Sequence, residues 1–364
     1  NDSLFIQNPP NNGTQVLVGA LGIDLGSVNG FDVGTNGAAL AVVQLTGDTA
    51  SKLFSINLQT GAASFVGPIG AAVLLRGMAI APGSAASTTV DFDGDFKTDY
   101  SVFRLSTNNW FINRSSNNSF YSFPFGISTD NFVPGDYDGD GISDVAVWRG
   151  TNSTFYVFRS SDGTTQTYQF GLNGDEPVAR DYDGDGRTDF AVVRRTGGQM
   201  IWYVNNSATN SFRIEQFGLD TDITATGDFD GDGRFDLGVF RDGTFFTQRS
   251  RDGFSVTNFG TSGDLVVPGD YDGDGKTDLA VLRGGTQYSW FFLRSSDGGF
   301  TPKQFGLKPD FATQGDYDGD GKTDVSVWRA ADGVFYVIRS SNGTVIERRF
   351  GQNGDYPIAN FDTH

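Results

Sequence analysis

The sequence predicts an all-β fold, a β-propeller of four-stranded antiparallel blades, seven by preference with six or eight as the other counts allowed. Three observations carry this expectation. An aspartate-rich segment recurs six times, with starts separated by 45, 45, 47, 42 and 46 residues. The same succession of alternating, aromatic and turn-forming runs follows each copy. Gly 50 and Phe 33 in 364 residues suit many turns and short strands rather than helices. Four short strands in about 45 residues is the period of a propeller blade. A linear β-solenoid also repeats, but with shorter turns.

Residues 1–85 lack the aspartate segment and keep the strand rhythm. "SLFIQN" and "TQVLVGALG" read as two leading strands. "GFDVG", "AALAVVQL", "KLFSINLQTG" and "AASFVGPIG" read as four more, enough for one metal-free blade expected within the ring, and "LLRGMAIAP" follows as another strand-like run. Residues 86–364 then hold six blades and a closing strand.

The repeats read "DFDGDFKTDYSVFR" from Asp91, "DYDGDGISDVAVWR" from Asp136, "DYDGDGRTDFAVVR" from Asp181, "DFDGDGRFDLGVFR" from Asp228, "DYDGDGKTDLAVLR" from Asp270 and "DYDGDGKTDVSVWR" from Asp316. Each ends in a strand centred on valine (Val102, Val147, Val192, Val239, Val281, Val327). A small residue precedes that valine: Ser101, Ala146, Ala191, Gly238, Ala280 or Ser326. A blade sandwiched between two others needs apolar groups on both faces and small residues where sheets approach. An aromatic strand such as "TFYVFRS" comes next, then a turn. A run ending in Phe-Gly closes the unit, as at Phe125-Gly126, Phe170-Gly171, Phe217-Gly218, Phe259-Gly260, Phe305-Gly306 and Phe350-Gly351. A short segment such as "LVVPGDY" leads into the next loop.

Within each aspartate segment the carboxylates stand at positions 1, 3, 5 and 9. They are Asp91, Asp93, Asp95 and Asp99; Asp136, Asp138, Asp140 and Asp144; Asp181, Asp183, Asp185 and Asp189. The second half of the chain adds Asp228, Asp230, Asp232 and Asp236; Asp270, Asp272, Asp274 and Asp278; Asp316, Asp318, Asp320 and Asp324. Alternation aims the first three at one centre, and the glycines between them permit a tight curl. Four carboxylates with the position-7 carbonyl suit Ca²⁺, a hard cation taking six to eight oxygens, better than Mg²⁺. An EF-hand would need Glu at position 12 and flanking helices, whereas position 12 here is apolar and the flanks are strands. A solvated turn is the ordinary reading of a single Asp-Gly run, but a plain turn has no use for a carboxylate pattern kept six times. About six ions are expected, one per loop, and they would bring the formal charge of −18 to −6. Folding is therefore expected to be Ca²⁺-linked.

The loops, the Phe-Gly pairs and the period together resemble the FG-GAP or VCBS repeats of integrin-α-type propellers and of many secreted bacterial proteins. The resemblance covers residues from about 86 to 362. It implies Ca²⁺ held between the first and second strands of each blade, on one rim of the ring. The first copy departs from the pattern, because Phe96 stands where the others have Gly141, Gly186, Gly233, Gly275 and Gly321, so a weaker or distorted first site is expected. The N-terminal stretch from "LFIQNPP" to "GFDVG" resembles the C-terminal part of a secreted bacterial domain of unknown function. With Asn1 rather than Met at the start, this suggests a processed or truncated chain.

The terminal "YPIANFD" (Tyr356 to Asp362) and the two leading strands pose the question of closure. One expectation is that N- and C-terminal strands complete a blade within the chain. The sharper one is that an incomplete blade is completed by another subunit, since an open sheet edge is a template for strand addition and a heterologous contact propagates as a fibre.

Composition narrows the function. Nucleic acid is disfavoured by the charge, and no apolar run approaches the length of a membrane helix. There is no cysteine, which excludes disulfides and thiolate chemistry. His364 is the only histidine, so no catalytic triad, histidine base or His-built zinc site is expected. Asp175, Asp220 and Asp264 remain as unassigned carboxylates, with nothing to single one out. The arginines that end the second strands (Arg104, Arg149, Arg194, Arg241, Arg283, Arg329) and third strands (Arg114, Arg159, Arg249, Arg294, Arg339) are expected to pair with carboxylates or stack at blade edges.

The resulting expectation is a non-catalytic, calcium-stabilised structural or adhesion protein at the cell surface or outside the cell. Its expected partners are itself, through strand complementation into filaments, or other surface proteins or glycans. The alternative is a carbohydrate-binding propeller with Trp110, Trp202 and Trp290 as stacking shelves, although one aromatic strand per blade is also what packing between blades requires. A third reading is a polysaccharide-active enzyme resembling lyases that carry similar repeats.

Overall fold

A computed structural model describes residues 2–7, 15–33, 39–48, 50–58, 60–68 and 90–358. Among these residues there are strands and turns and no helix, and seven four-stranded antiparallel sheets with one two-stranded sheet. The chain divides into two compact units, Asn1–Gly83 and Ser84–His364.

In the first unit, β1 (Ser3–Gln7) pairs with β2 (Gln15–Ala20). A four-stranded meander follows, formed by β3 (Leu25–Val33), β4 (Ala39–Leu45), β5 (Lys52–Ile56) and β6 (Ala63–Pro68). These are the strands expected for a metal-free blade. Alternation turns Ala39, Ala41, Val43, Phe54 and Ile56 to one face, where they bury with Leu21 and against Leu4 and Ile23. Gly19 permits this closeness, since a Cβ there would stand 2.0 Å from the carbonyl oxygen of Thr60. The run "LLRGMAIAP" and the residues after Ile358 lie outside the described residues.

The second unit opens with β7 (Tyr100–Arg104), β8 (Asn109–Asn113) and β9 (Phe120–Pro124). Blade 2 is β10 (Asn131–Phe132), β11 (Val145–Arg149), β12 (Thr154–Phe158) and β13 (Thr165–Gln169). Blade 3 is β14 (Glu176–Pro177), β15 (Phe190–Thr196), β16 (Gln199–Asn205) and β17 (Phe212–Leu219). Blade 4 is β18 (Ile223–Thr224), β19 (Leu237–Arg241), β20 (Thr244–Arg249) and β21 (Gly253–Asn258). Blade 5 is β22 (Leu265–Val266), β23 (Leu279–Arg283), β24 (Gln287–Leu293) and β25 (Phe300–Leu307). Blade 6 is β26 (Phe311–Ala312), β27 (Val325–Arg329), β28 (Val334–Ile338) and β29 (Val345–Arg349). The last strand, β30 (Asp355–Pro357), does not start a new blade. It pairs with β7 and completes blade 1 in the order β30-β7-β8-β9.

These six sheets form a closed circle. The central valine of each second strand is fully buried and shares an apolar cluster with a large ring of the preceding blade. Val147 is clustered with Trp110, Val192 with Trp148, Val239 with Trp202, Val281 with Phe245 and Val327 with Trp290. Val102 is clustered with Trp328 and Phe335, so blade 1 lies on blade 6. The small residue before each valine has the expected cause. A Cβ on Gly238 would come within 2.0 Å of the Ala225 carbonyl, and the alanines and serines at the equivalent places are 0% exposed.

The ring therefore has six blades, one fewer than the preferred count and one of the others allowed, and the seventh four-stranded sheet belongs to the first unit rather than to the ring. Residues 1–85 are not needed to close it, because β30 fills the innermost place of blade 1. Closure within the chain thus holds, but the expected pairing of the leading strands with the C-terminal one is corrected: β1 pairs with β2, and β30 pairs with β7. The expectation of an incomplete blade awaiting another subunit is corrected for this ring: Tyr356 and Pro357 already pair with Phe103 and Val102, and Ser101 Oγ donates to the carbonyl of Ile358 at 2.5 Å.

Candidate metal centres

Each aspartate segment forms the loop between the first and second strands of its blade. The position-1 carboxylate organises the curl. Asp136 Oδ1 accepts the N–H of Gly139 at 2.6 Å and Oδ2 that of Gly141 at 2.8 Å, and Asp181, Asp270 and Asp316 repeat the pattern. Both glycines are left-handed, with φ of 82° and 83°, which a side chain adopts only under strain. The first loop makes the same curl with Phe96 at φ 66° and 46% exposed, the departure its sequence foreshadows.

The position-9 carboxylates lie deepest, each 0–1% exposed. One oxygen accepts the N–H of position 2, as Asp144 does from Tyr137 at 3.0 Å, and the other accepts an N–H from the turn after the third strand, here Ser160 at 2.7 Å. Burial pushes the carboxyls of Asp99, Asp144, Asp189 and Asp236 up to about 7, against these hydrogen bonds, and those of Asp278 and Asp324 up to about 6.

Positions 1, 3 and 9 converge. Carboxylate oxygens of Asp91, Asp93 and Asp99 lie within 4.8 Å of one another, as do those of Asp136, Asp138 and Asp144, of Asp181, Asp183 and Asp189, of Asp228, Asp230 and Asp236, and of Asp270, Asp272 and Asp278. Position 5 falls outside these five groups. It is held by a serine that sequence reasoning passed over: Asp95 by Ser115, Asp140 by Ser160, Asp185 by Ser207, Asp232 by Ser250, Asp274 by Ser295 and Asp320 by Ser340, with Oγ–O distances of 2.7–2.9 Å. The signal was present, since a serine recurs one or two residues after the end of every third strand.

A cation fits these groups on a structural ground. Asp230 is 1% exposed, yet its Oδ1 has no hydrogen-bond donor, and the same holds for Oδ1 of Asp93 and Asp318. A buried polar oxygen without a donor costs on the order of 1–3 kcal/mol. A hard cation between positions 1, 3 and 9 supplies the missing partner and offsets the mutual repulsion.

The remaining conspicuous residues are structural. Arg104, Arg149, Arg194, Arg241, Arg283 and Arg329 each form a two-pronged ion pair, with Asp355, Asp130, Asp175, Asp222, Asp264 and Asp310 in turn. Each guanidinium also lies 4.2–4.8 Å from an aromatic ring centroid on the third strand. Pairing and stacking are both as expected for these arginines. In the second set, Arg159 reaches Asp138 and Asp162, Arg249 reaches Asp252, and Arg294 reaches Asp297. Asp175 and Asp264, unassigned in the sequence, are thereby engaged in the two-pronged pairs.

Trp110, Trp202 and Trp290 are 0% exposed, which corrects their reading as sugar-stacking shelves. Each Nε1–H donates to the carbonyl of the Phe in its blade's Phe-Gly pair, Phe125, Phe217 and Phe305, at 2.8–3.0 Å. A buried indole needs such an acceptor, so the ring packs between blades while its one polar atom locks the Phe-Gly turn.

Comparison with known proteins agrees with this architecture. The FG-GAP-like repeat family matches residues 181–239 and 270–327, and the Domain of unknown function (DUF4394) family matches residues 1–79. No curated protein matches the sequence. Among solved structures, TolB from Acinetobacter baumannii is similar with a TM-score of 0.51 and 15% identity, over 84% of this chain and 78% of that one. A lectin from Agrocybe aegerita, described as recognising non-reducing terminal N-acetylglucosamine, has a TM-score of 0.48 and 15% identity, over 72% of this chain and 95% of that one. At 15% identity the likeness to TolB concerns the fold alone.

Proposed function

Proceeding from a chain that carries FG-GAP-like repeats, we propose that it is a calcium-stabilised, non-catalytic structural or adhesion propeller working at the cell surface or outside the cell. The observation that carries this reading is the threefold convergence of carboxylates at positions 1, 3 and 9, with the buried, donorless Oδ1 of Asp230 among them. Six such ions, with the position-5 aspartates beside them, neutralise most of the formal charge of −18. Extracellular Ca²⁺ is abundant enough to fill loops of modest affinity. Engagement of the conspicuous arginines, tryptophans and spare aspartates in blade packing supports a scaffold role. A rigid ring then presents its outer surface to a macromolecular partner.

The test is thermal unfolding of the full chain with Ca²⁺ and with EDTA. A ligand bound only to the folded state at a hundredfold excess over Kd adds about 2.7 kcal/mol per site, so chelation is expected to lower the Tm sharply. An unchanged Tm would falsify the calcium role. Adhesion is checked separately by Ca²⁺-dependent retention of cells on immobilised protein, and a glycan array hit would move the reading towards a lectin.

A further inference from the structure

The six loops bond to one another as well as to their own blades. In each, the backbone N–H of position 8 donates to the backbone carbonyl of position 1 in the preceding loop: Ser143 to Asp91, Thr188 to Asp136, Phe235 to Asp181, Thr277 to Asp228 and Thr323 to Asp270, at 2.6–2.7 Å. Thr98 donates to Asp316 at 2.6 Å and closes the cycle. Side chains reinforce the same junctions. The position-7 stem lies over the position-4 glycine of the preceding loop, so that a Cβ on Gly139 or Gly273 would stand 2.8 Å from Arg187 or Lys322. Where a glycine precedes position 1, the position-8 threonine covers it: a Cβ on Gly269 would stand 2.7 Å from Thr323 Oγ1.

We propose that the loops form one coupled metal-binding belt, in which a cation in one loop raises the affinity of the loops on either side. This inference rests on the calcium reading above. Position 8 directly precedes the buried position-9 carboxylate, and position 1 carries the first carboxylate of its own group. The peptide between positions 7 and 8 therefore anchors one site while its donor holds the next. A cation gripping position 9 fixes that peptide, and the neighbouring position 1 then rests on an already ordered support. The ordering cost falls mainly on the first ion, which is positive cooperativity without any large movement. The fourth loop shows the linkage from both sides. Its group holds the donorless Oδ1 of Asp230, its Phe235 N–H reaches back to Asp181, and its Asp228 carbonyl receives Thr277.

Isothermal titration calorimetry of the full chain with CaCl₂, paralleled by Tb³⁺ luminescence, tests the belt in the natural sequence, in Asp278→Asn and in Gly269→Ala. The natural protein is expected to take up about six ions with a Hill coefficient above one. Asp278→Asn should weaken the flanking sites by about fivefold besides losing its own ion, the lower end of ordinary coupling. Gly269→Ala leaves every aspartate in place and displaces only the Thr323 contact, so it should bind the full complement with a reduced Hill coefficient. If the natural isotherm is non-cooperative and Asp278→Asn loses one ion with the others unchanged, coupling is overturned while the calcium reading stands. If the folded protein binds no Ca²⁺ at millimolar concentration, the calcium reading fails and the belt with it. Should Asp278→Asn not fold, an unchanged Hill coefficient in Gly269→Ala overturns the coupling on its own.

Discussion

Arg104 grips Asp355 through two parallel hydrogen bonds, Nε to Oδ1 at 2.8 Å and Nη2 to Oδ2 at 2.9 Å. The five equivalent pairs each staple residues 19 apart in the chain, whereas this one joins residues 251 apart and so clamps the ring shut. The Asp355 side chain is 0% exposed. Removing the buried Asp355 carboxylate leaves a partly exposed guanidinium and the Gln352 N–H without their acceptor, at a cost of about 1–3 kcal/mol. Asp355→Ala is expected to lose at least that much in urea unfolding, and more than Asp175→Ala, which breaks the same pair within blade 3. Equal losses would show that closure adds nothing beyond the local pair.

Phe96 is the one residue in its position that is not glycine, and its φ of 66° carries the left-handed penalty of roughly 1–2 kcal/mol. Phe96→Gly relieves that strain but makes the unfolded chain freer, by about 0.5–1 kcal/mol. The net expectation is a gain of roughly 0.5–1 kcal/mol, together with tighter Ca²⁺ binding in the first loop. Thermal unfolding in Ca²⁺ checks the first, and a loss of stability would mean that Phe96 contributes contacts that outweigh its strain.

The position-9 carboxyls give the metal-free protein a pH dependence of defined sign. Their folded-state values, about 6 to about 7, lie above the ordinary 3.8 because burial disfavours the charged form. Their contribution to stability is full below about pH 3.8 and is lost as pH rises through 6 to 7. In EDTA the Tm should therefore fall between pH 5 and pH 8. Bound Ca²⁺ competes with those protons, so the stabilisation it adds should grow over the same interval. A Tm in EDTA that rises from pH 5 to pH 8 would contradict the burial of these groups in the charged state.

The Phe-Gly turns are set by packing as well as by backbone conformation. Gly306 has φ 88°, and a Cβ there would stand 2.8 Å from Val327 Cγ1 in the next blade. Gly354 has φ 90° with open space around it. Gly354→Ala should lose only the conformational term of about 1–2 kcal/mol. Gly306→Ala should lose a further 1–3 kcal/mol or so from overpacking. Comparable losses in chemical denaturation would place the requirement in the backbone alone.

Much of this was legible because each feature is local and repeated. The carboxylates at positions 1, 3 and 9, the valine strands and the arginine pairs recur with fixed spacing, so six copies expose what one would hide. Closure was harder to read. The sequence supplies "YPIANFD" as a free strand, and only the ring geometry decides that its partner is Phe103 rather than a leading strand or another molecule. The tryptophans admitted two readings for a different reason: an aromatic strand looks alike whether its rings face a neighbouring blade or solvent, and burial is a tertiary property that decides for packing. The serines that hold the position-5 aspartates went unread because they come from a distant turn, the one after the third strand. The bonds between loops leave no trace in residue type, since backbone N–H and C=O groups are common to nearly all residues.

The place of β30 also has a consequence for biosynthesis. Blade 1 lacks its innermost strand until residues 355–357 leave the ribosome, roughly 250 residues after β7. At 5–20 residues per second this interval is on the order of tens of seconds. During that time the aspartate loops emerge one after another, while one edge of β7 offers unpaired backbone groups to whatever strand arrives first. On a crowded polysome that strand can be the β30 segment of a sister chain. Residues 355–357 thus act as a timer on assembly, and a chain interrupted just before them is the species a quality-control system has most reason to recognise.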